Sequence, residues 1–114
     1  MINLSVFEVI GEIAVASEDG QKIYERICAV FDDGGIVVLD FKKITMLAPS
    51  FINSAIGQLY GKYSDTRIAC SLFYINTDFS QIQQVQHVLK SAIKFYENPE
   101  KAREPYDKEL GKDE

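Results

Sequence analysis

A continuous apolar run from Gly35 to Phe41, GIVVLDF, constrains the fold of this chain more than its other segments. β-Branched Ile and Val residues dominate the run, and its side chains do not alternate between apolar and polar. Strands with this pattern are buried on both faces and are typical of parallel sheets. Parallel neighbours must be joined by long crossover connections, which are usually helices. The run therefore predicts the central strand of an α/β domain.

Periodicities on either side of this run alternate between strand and helix, which is the order of an α/β fold. The predicted strands cover residues 2–9, 12–16 and 68–75. The first predicted helix starts with a cap and acidic first turn at residues 17–19 and ends within residues 32–35. The second covers about residues 50–62, and the third begins at Asp78 or Ser80 and is bounded by Pro99. The expected architecture is a small mixed or parallel β-sheet of about four strands with helices packed on it, joined by right-handed crossovers.

Chain length and composition indicate one domain. A chain of 114 residues is long enough for one compact core, and 46% hydrophobic with 25% charged residues is the balance of a globular protein. We expect a single α/β domain over residues 1–98. The mostly charged residues 99–114 predict a solvated tail or a short terminal helix.

Charge and hydropathy argue against several classes of function. The formal net charge is -5 and no Lys and Arg cluster interrupts it, so nucleic acid is a poor candidate partner. The uncharged stretch 44–61 contains too many polar residues for a membrane span, and no membrane association is expected. The N-terminus lacks the layout of a signal peptide, which favours a cytoplasmic location with Cys28 and Cys70 reduced.

Residues that commonly carry catalysis are sparse. His87 lies among glutamines on the polar side of the third predicted helix, as a solvated residue would. One histidine and two distant cysteines give no zinc spacing, and no GxSxG element is present. Gly34 and Gly35 precede a strand, whereas a phosphate-binding loop follows one. We therefore expect no catalysis, no metal and no cofactor.

The stretch from Leu39 to Gly61, LDFKKITMLAPSFINSAIGQLYG, carries the most information about function. An apolar strand ends on Asp40 and Phe41, a short connector follows, and Pro49 suits the first position of a helix. This arrangement resembles the STAS domain family of anti-sigma-factor antagonists. It is closer to a STAS-like branch of unknown function with an Asp-Phe strand end and a Ser-Phe helix start. The resemblance covers mainly residues 35–62 and implies that the domain at 1–98 is STAS-like.

The resemblance also implies a regulatory turn, from which this chain departs. In the family, a serine at the helix start of an Asp-Ser-Ser-Gly type turn is the phosphoacceptor. Ala48, Pro49 and Phe51 stand in the places of the usual acid, phosphoacceptor and glycine, so a switch at the standard position is impossible. Ser50 is one residue later; its hydroxyl is either a switch at a helix N-terminus or a partner for early backbone amides. Asp40 and Pro49 are expected to order the turn.

One face of the second predicted helix is small and uncharged, which is unusual for an exposed helix. A solvated face commonly carries Lys and Glu, so this face predicts contact with another surface. That surface is either a partner protein or the third helix and first loop of the same chain, and the sequence leaves both open. The face consists of Ser50, Asn53, Ser54, Gly57 and Gly61.

The leading interpretation is a non-catalytic regulatory protein-interaction module that docks a partner through the second predicted helix and the turn before it. The resemblance implies a partner such as a histidine-kinase-like ATPase, in bacterial-type signalling. The alternative is a small-ligand or nucleotide sensor with its pocket at the rim between Asp40 and Ser50. A homodimer is left open.

Overall fold

The computed structural model describes residues 1–97, so the tail or terminal helix expected at residues 99–114 lies outside the described residues. Short strands and helices alternate along the chain. The elements are β1 (Ile2–Ser5), α1 (Val6–Ile10), β2 (Ile13–Ala14), α2 (Ser17–Asp32), β3 (Val37–Asp40), β4 (Met46–Leu47), α3 (Pro49–Ala55), a 3-10 helix (Gly57–Gly61), α4 (Asp65–Ser71), β5 (Leu72–Ile75) and α5 (Phe79–Glu97).

The described strands form two parallel sheets. The main sheet has the order β1-β3-β5, so β3 occupies the central position that the run at residues 35–41 predicts. β2 and β4 form a second sheet of two strands, in which Ile13 is the register partner of Met46. The prediction of a small sheet with helices packed on it is confirmed, with the strands divided between sheets of three and two.

The two faces of the main sheet differ. Val37 and Leu39 of β3 join the hydrophobic core, together with side chains of α2, α3 and α5. Val38 points to the opposite face, because successive side chains of a strand alternate, and it lies outside that core although it is only 8% exposed. On β5 the same opposite face carries Phe73 and Ile75, which are 44% and 38% exposed. The helices therefore cover one face of the sheet.

Helices α2 and α3 pack closely at a glycine. A Cβ placed on Gly20 would lie 2.6 Å from the Phe51 carbonyl oxygen and 2.7 Å from the Ser54 Cβ. Both atoms belong to or adjoin the backbone of α3, so they cannot rotate away. Gly20 thus sets the distance between the two helices.

Short helices replace parts of two predicted strands. The strand expected over residues 2–9 ends at Ser5, whose Oγ accepts a hydrogen bond from the Glu8 N–H at 3.1 Å and caps α1. The Ser64 Oγ accepts from the Arg67 N–H at the same 3.1 Å and caps α4. The strand expected over residues 68–75 consequently begins only at Leu72.

The helix expected over residues 50–62 is two helices. α3 ends at Ala55, and the chain then tightens to 3-10 geometry, with the Leu59 N–H bonded to the Ile56 carbonyl at 3.0 Å. Glycines at both ends of the 3-10 segment lower its α-helix propensity. The other two helix predictions are confirmed, with α2 ending at Asp32, inside the expected end region, and α5 beginning at Phe79.

The close packing at Gly20 gives a first prediction. We expect Gly20→Ala to lower the free energy of unfolding by about 1–3 kcal/mol, because the added methyl group forces α2 and α3 apart. By helix propensity alone, alanine would stabilise α2 by about 1 kcal/mol relative to glycine. A net loss of stability would therefore show the steric effect. Chemical denaturation monitored by circular dichroism measures the difference.

The matched control is the reverse substitution on the same helix. Ala29 is exposed on α2, so Ala29→Gly should cost only the helix-propensity difference of about 1 kcal/mol. If Gly20→Ala were instead stabilising by that amount, the proposed close contact would be wrong.

Candidate functional site

The carboxyl ends of β3 and β5 are joined by the Asp40 side chain. Its Oδ1 accepts hydrogen bonds from the Asn76 side-chain amide at 2.8 Å and from the Lys42 backbone N–H at 2.9 Å. These two hydrogen bonds and the Lys42 charge lower the pKa of Asp40 from its ordinary value, against a smaller opposing effect of desolvation. Asp40 therefore orders the turn after β3 and ties it to the turn after β5.

Both of these turns contain a residue with left-handed backbone. Lys43 has φ 72° and Asn76 has φ 59°, a region that asparagine tolerates and lysine seldom adopts. The Lys43 Nζ lies 5.2 Å from the centroid of the Phe7 ring of α1, a cation–π distance. The sharp turn at Lys43 returns the connector toward β2, where the Thr45 N–H donates to the Glu12 carbonyl at 2.9 Å.

Two serines of α3 bond to the loop before α2 and the start of that helix. The Ser50 Oγ donates to the Val15 carbonyl at 2.7 Å, and the Ser54 Oγ donates to the Ser17 carbonyl, also at 2.7 Å. Ala48 is the N-cap of α3 and offers no side-chain hydrogen bond, while Pro49 is the first helical residue, as expected. The Ser50 hydroxyl is thus bonded to a carbonyl of the first loop and not to an early amide of its own helix.

The small uncharged face of the second predicted helix is divided in the structure. Ser50 and Asn53 are exposed, and Ser54 is half-buried against α2. Gly57 is buried, and a Cβ on it would lie 2.5 Å from the Asn53 Oδ1 and 3.5 Å from the Ala92 Cβ of α5. Gly57 therefore lies inside the domain and not on the exposed part of this face. A Cβ there would displace the Asn53 side chain of α3, whereas its distance to Ala92 is an ordinary contact.

Three exposed apolar side chains that the sequence did not indicate surround this turn. Ile13 and Met46 are 44% and 56% exposed and are neighbours in the β2–β4 sheet. Phe79, the first residue of α5, is 75% exposed. Phe79 and Pro49 both line one open groove of about 370 Å³. Ile13, Met46 and Phe79 lie far apart along the chain, so no local sequence pattern groups them.

These residues form one candidate site, which we call the docking surface. It combines exposed apolar side chains with the exposed polar residues at the start of α3, and none of its members is charged. The docking surface consists of Ile13, Met46, Pro49, Ser50, Asn53 and Phe79.

Over residues 1–97 no group of three or more His, Cys, Asp or Glu side chains could hold a metal ion. No helix in that range is both long and apolar enough to cross a bilayer. His87 is exposed on α5, Cys28 is buried in the core, and Cys70 is exposed.

The parallel sheet with helices on one face, and the strand–turn–helix that carries Asp40 and Ser50, define a small α/β domain of the STAS-like kind. Residues 19–81 match the model of the family described as STAS-like domain of unknown function, DUF4325. This range covers more than half of the chain and runs from the first turn of α2 to the first turn of α5. The chain belongs to that family. No curated protein and no solved structure gives a significant match.

The pairing of Asp40 with Asn76 gives a second prediction. We expect Asn76→Gly to raise the pKa of Asp40, because the substitution removes the amide donor while glycine keeps the left-handed backbone available. A carboxyl titration followed by NMR measures both proteins. The wild-type midpoint should lie below the ordinary aspartate value of about 3.9, and the variant midpoint should lie closer to it.

The sign of the accompanying stability change follows from linkage. A lowered folded-state pKa means that this interaction stabilises the protein above the unfolded pKa and is lost as pH falls through the folded pKa. The stability difference between wild type and Asn76→Gly should therefore shrink in acid below about pH 4. Identical Asp40 midpoints in the two proteins would show that the hydrogen bond does not act on the carboxylate.

Proposed function

We propose that this protein is a non-catalytic regulatory module that binds a protein partner through the docking surface. The observation that carries the proposal is the exposure of Met46 and Phe79, at 56% and 75%, beside the uncharged start of α3. Interface cores are depleted of charged residues and enriched in aromatic residues and methionine. A surface of this composition, at the turn where the STAS resemblance puts regulation, fits a protein-binding role.

A partner such as a histidine-kinase-like ATPase is the finer part of the proposal. Its support is the family membership together with the resemblance of residues 35–62 to anti-sigma-factor antagonists. Such a regulator would act in the cytoplasm. The lack of charge on the docking surface favours contact with an apolar patch of the partner over charge pairing.

The alternative, a small-ligand or nucleotide sensor, has weaker support. Ligands of open parallel sheets bind where the strand order reverses, and the order β1-β3-β5 advances in one direction. The groove beside Pro49 and Phe79 is open to solvent, whereas small-molecule sites enclose most of their ligand. A ligand-dependent rise in the melting temperature would favour the sensor.

Asn53→Arg tests the docking surface. Asn53 is exposed, so arginine should leave the fold intact while placing a long charged side chain on the docking surface. We expect affinity for the partner to fall by at least about thirtyfold, because the charge would be desolvated against an apolar contact. The partner would first be captured on immobilised wild-type protein from the native host, identified by mass spectrometry, purified, and titrated by calorimetry.

Ala29→Arg is the matched control, because it adds the same side chain at an exposed position of α2 outside the docking surface. It should bind like the wild type. Capture of an ATPase of the histidine-kinase type that is lost only with Asn53→Arg supports the proposal. A partner that binds Asn53→Arg as tightly as wild type would put the contact elsewhere on the domain.

Ser50 gives a separate prediction about regulation. Phosphorylation would remove the proton that the Ser50 Oγ donates to the Val15 carbonyl and would add about 1.5 to 2 negative charges to an uncharged surface. We expect Ser50→Asp to weaken partner binding by about tenfold or more. Calorimetric titration with the purified partner measures the change.

Ser50→Ala separates the hydrogen bond from the charge. It should cost about 0.5–1.5 kcal/mol of stability through loss of the bond to Val15, with little effect on partner affinity. Mass spectrometry of protein from the native host reads phosphate on Ser50 and Ser54 directly. If neither Ser50 variant altered partner binding and both serines were unmodified, the switch would be rejected.

A further inference from the structure

The outer strand β5 carries an apolar patch that the docking surface does not include. Phe73 and Ile75 are 44% and 38% exposed, and both lie on the sheet face opposite the hydrophobic core. Between them, Tyr74 points to the helix side and packs against the core, with its ring 6.4 Å from that of Phe41. We call the pair Phe73 and Ile75 the β5 patch.

The backbone of β5 is available for pairing at one residue. The Ile75 carbonyl accepts from the Phe41 N–H at 3.1 Å, so the backbone groups of Phe73 and Ile75 point toward β3. Those of Tyr74, one residue out of phase, point away from the sheet. No strand within residues 1–97 lies on that side, because β5 ends the order β1-β3-β5. The Leu72 N–H is used by the Ile68 carbonyl of α4. Among the described residues, Tyr74 thus offers this edge a backbone donor and acceptor that no strand uses.

A second copy of this chain fits these features in one register. If two β5 strands pair antiparallel about a two-fold axis at Tyr74, the two Tyr74 residues exchange N–H···O=C bonds. Phe73 of each copy then lies opposite Ile75 of the other, as a non-hydrogen-bonded pair whose side chains approach closely. Both pairs fall on the same face, so the two β5 patches bury each other.

The charge distribution and the composition of the β1 edge both favour a second copy of this chain as the partner of β5. The chain carries a net charge of -5, yet Leu72 to Asn76 contains no charged residue, so two copies meet there without local repulsion. On the corresponding face the opposite edge strand, β1, presents Asn3 and Ser5 and no apolar side chain, since Ile2 and Leu4 lie on the other face. An isologous contact through β5 is therefore better matched than pairing through β1.

We propose that two copies of this protein form a symmetric dimer in which the β5 strands pair antiparallel about Tyr74 and join the main sheets into one six-stranded sheet. The assembly is independent of the docking surface. It closes on itself through one two-fold axis, so it does not extend to filaments.

Sedimentation equilibrium of the purified full chain over a range of concentrations tests the dimer. Phe73→Lys and Ile75→Glu, each alone, should raise the dimer dissociation constant by at least about tenfold, because each puts a charge opposite an apolar side chain. The double variant, Phe73→Lys with Ile75→Glu, puts lysine opposite glutamate in both cross-strand pairs. It should recover most of the lost affinity.

Met46→Lys is the control, because it adds a charge at an exposed apolar side chain of the docking surface, and it should dimerise like the wild type. Circular dichroism confirms that each variant is folded. A wild-type chain that stays monomeric, or that forms larger oligomers, overturns the proposal. So does a dimer that survives Phe73→Lys, or a double variant that does not recover, since either result excludes this register.

Discussion

The parallel pairing of β3 with a strand on each side is the constraint on which the rest of the structure depends. Each parallel neighbour requires a crossover, and right-handed crossovers that advance in one direction put their helices on one face. Strands lie about 4.8 Å apart whereas packed helices lie about 8–10 Å apart, so three helices are wider than three strands. Gly20 relieves this mismatch, because a glycine lets α2 approach α3 to backbone contact at Phe51.

The same constraint determines where the exposed apolar surface lies. The crossovers leave the second face of a three-stranded sheet without helices of their own, so Phe73 and Ile75 are exposed while Val37 and Leu39 are buried. The turns after parallel strands all gather at one end of the sheet, which brings the start of α3 beside Phe79. The docking surface and the β5 patch are two consequences of one topology, at the end and at the edge of the sheet.

Helices and strands were predictable where an apolar pattern extends over several helical turns or forms an unbroken run. α2 has 16 residues and repeats its apolar positions throughout, so its existence and approximate bounds were predictable. α1 and α4 have 5 and 7 residues, fewer than two full turns, and their apolar residues read equally well as strand. In the structure, Ser5 and Ser64 cap these two segments as helices. An isolated serine is too common in sequences to predict a helix start without the tertiary structure.

The candidate site was predictable in part for a related reason. Asp40 is the last residue of β3, so its bond to the Lys42 amide is local and could be expected from the order of residues. Its second partner, Asn76, belongs to another turn and meets Asp40 only because β3 and β5 pair in register. Met46 likewise lies beside Ile13 only because β2 and β4 pair in register, which no local pattern encodes.

The departures from the STAS turn change how the start of α3 is held. Pro49 has neither a hydroxyl nor a backbone N–H, Ala48 gives no side-chain cap, and Phe51 is buried at 1% exposure in the core. The helix is held instead by Ser50, whose hydroxyl donates to the Val15 carbonyl in the loop before α2. Any group added to that oxygen removes the donor. Modification there would therefore loosen the junction between α3 and the loop as well as add charge, so its effect on a partner would be conformational and electrostatic together.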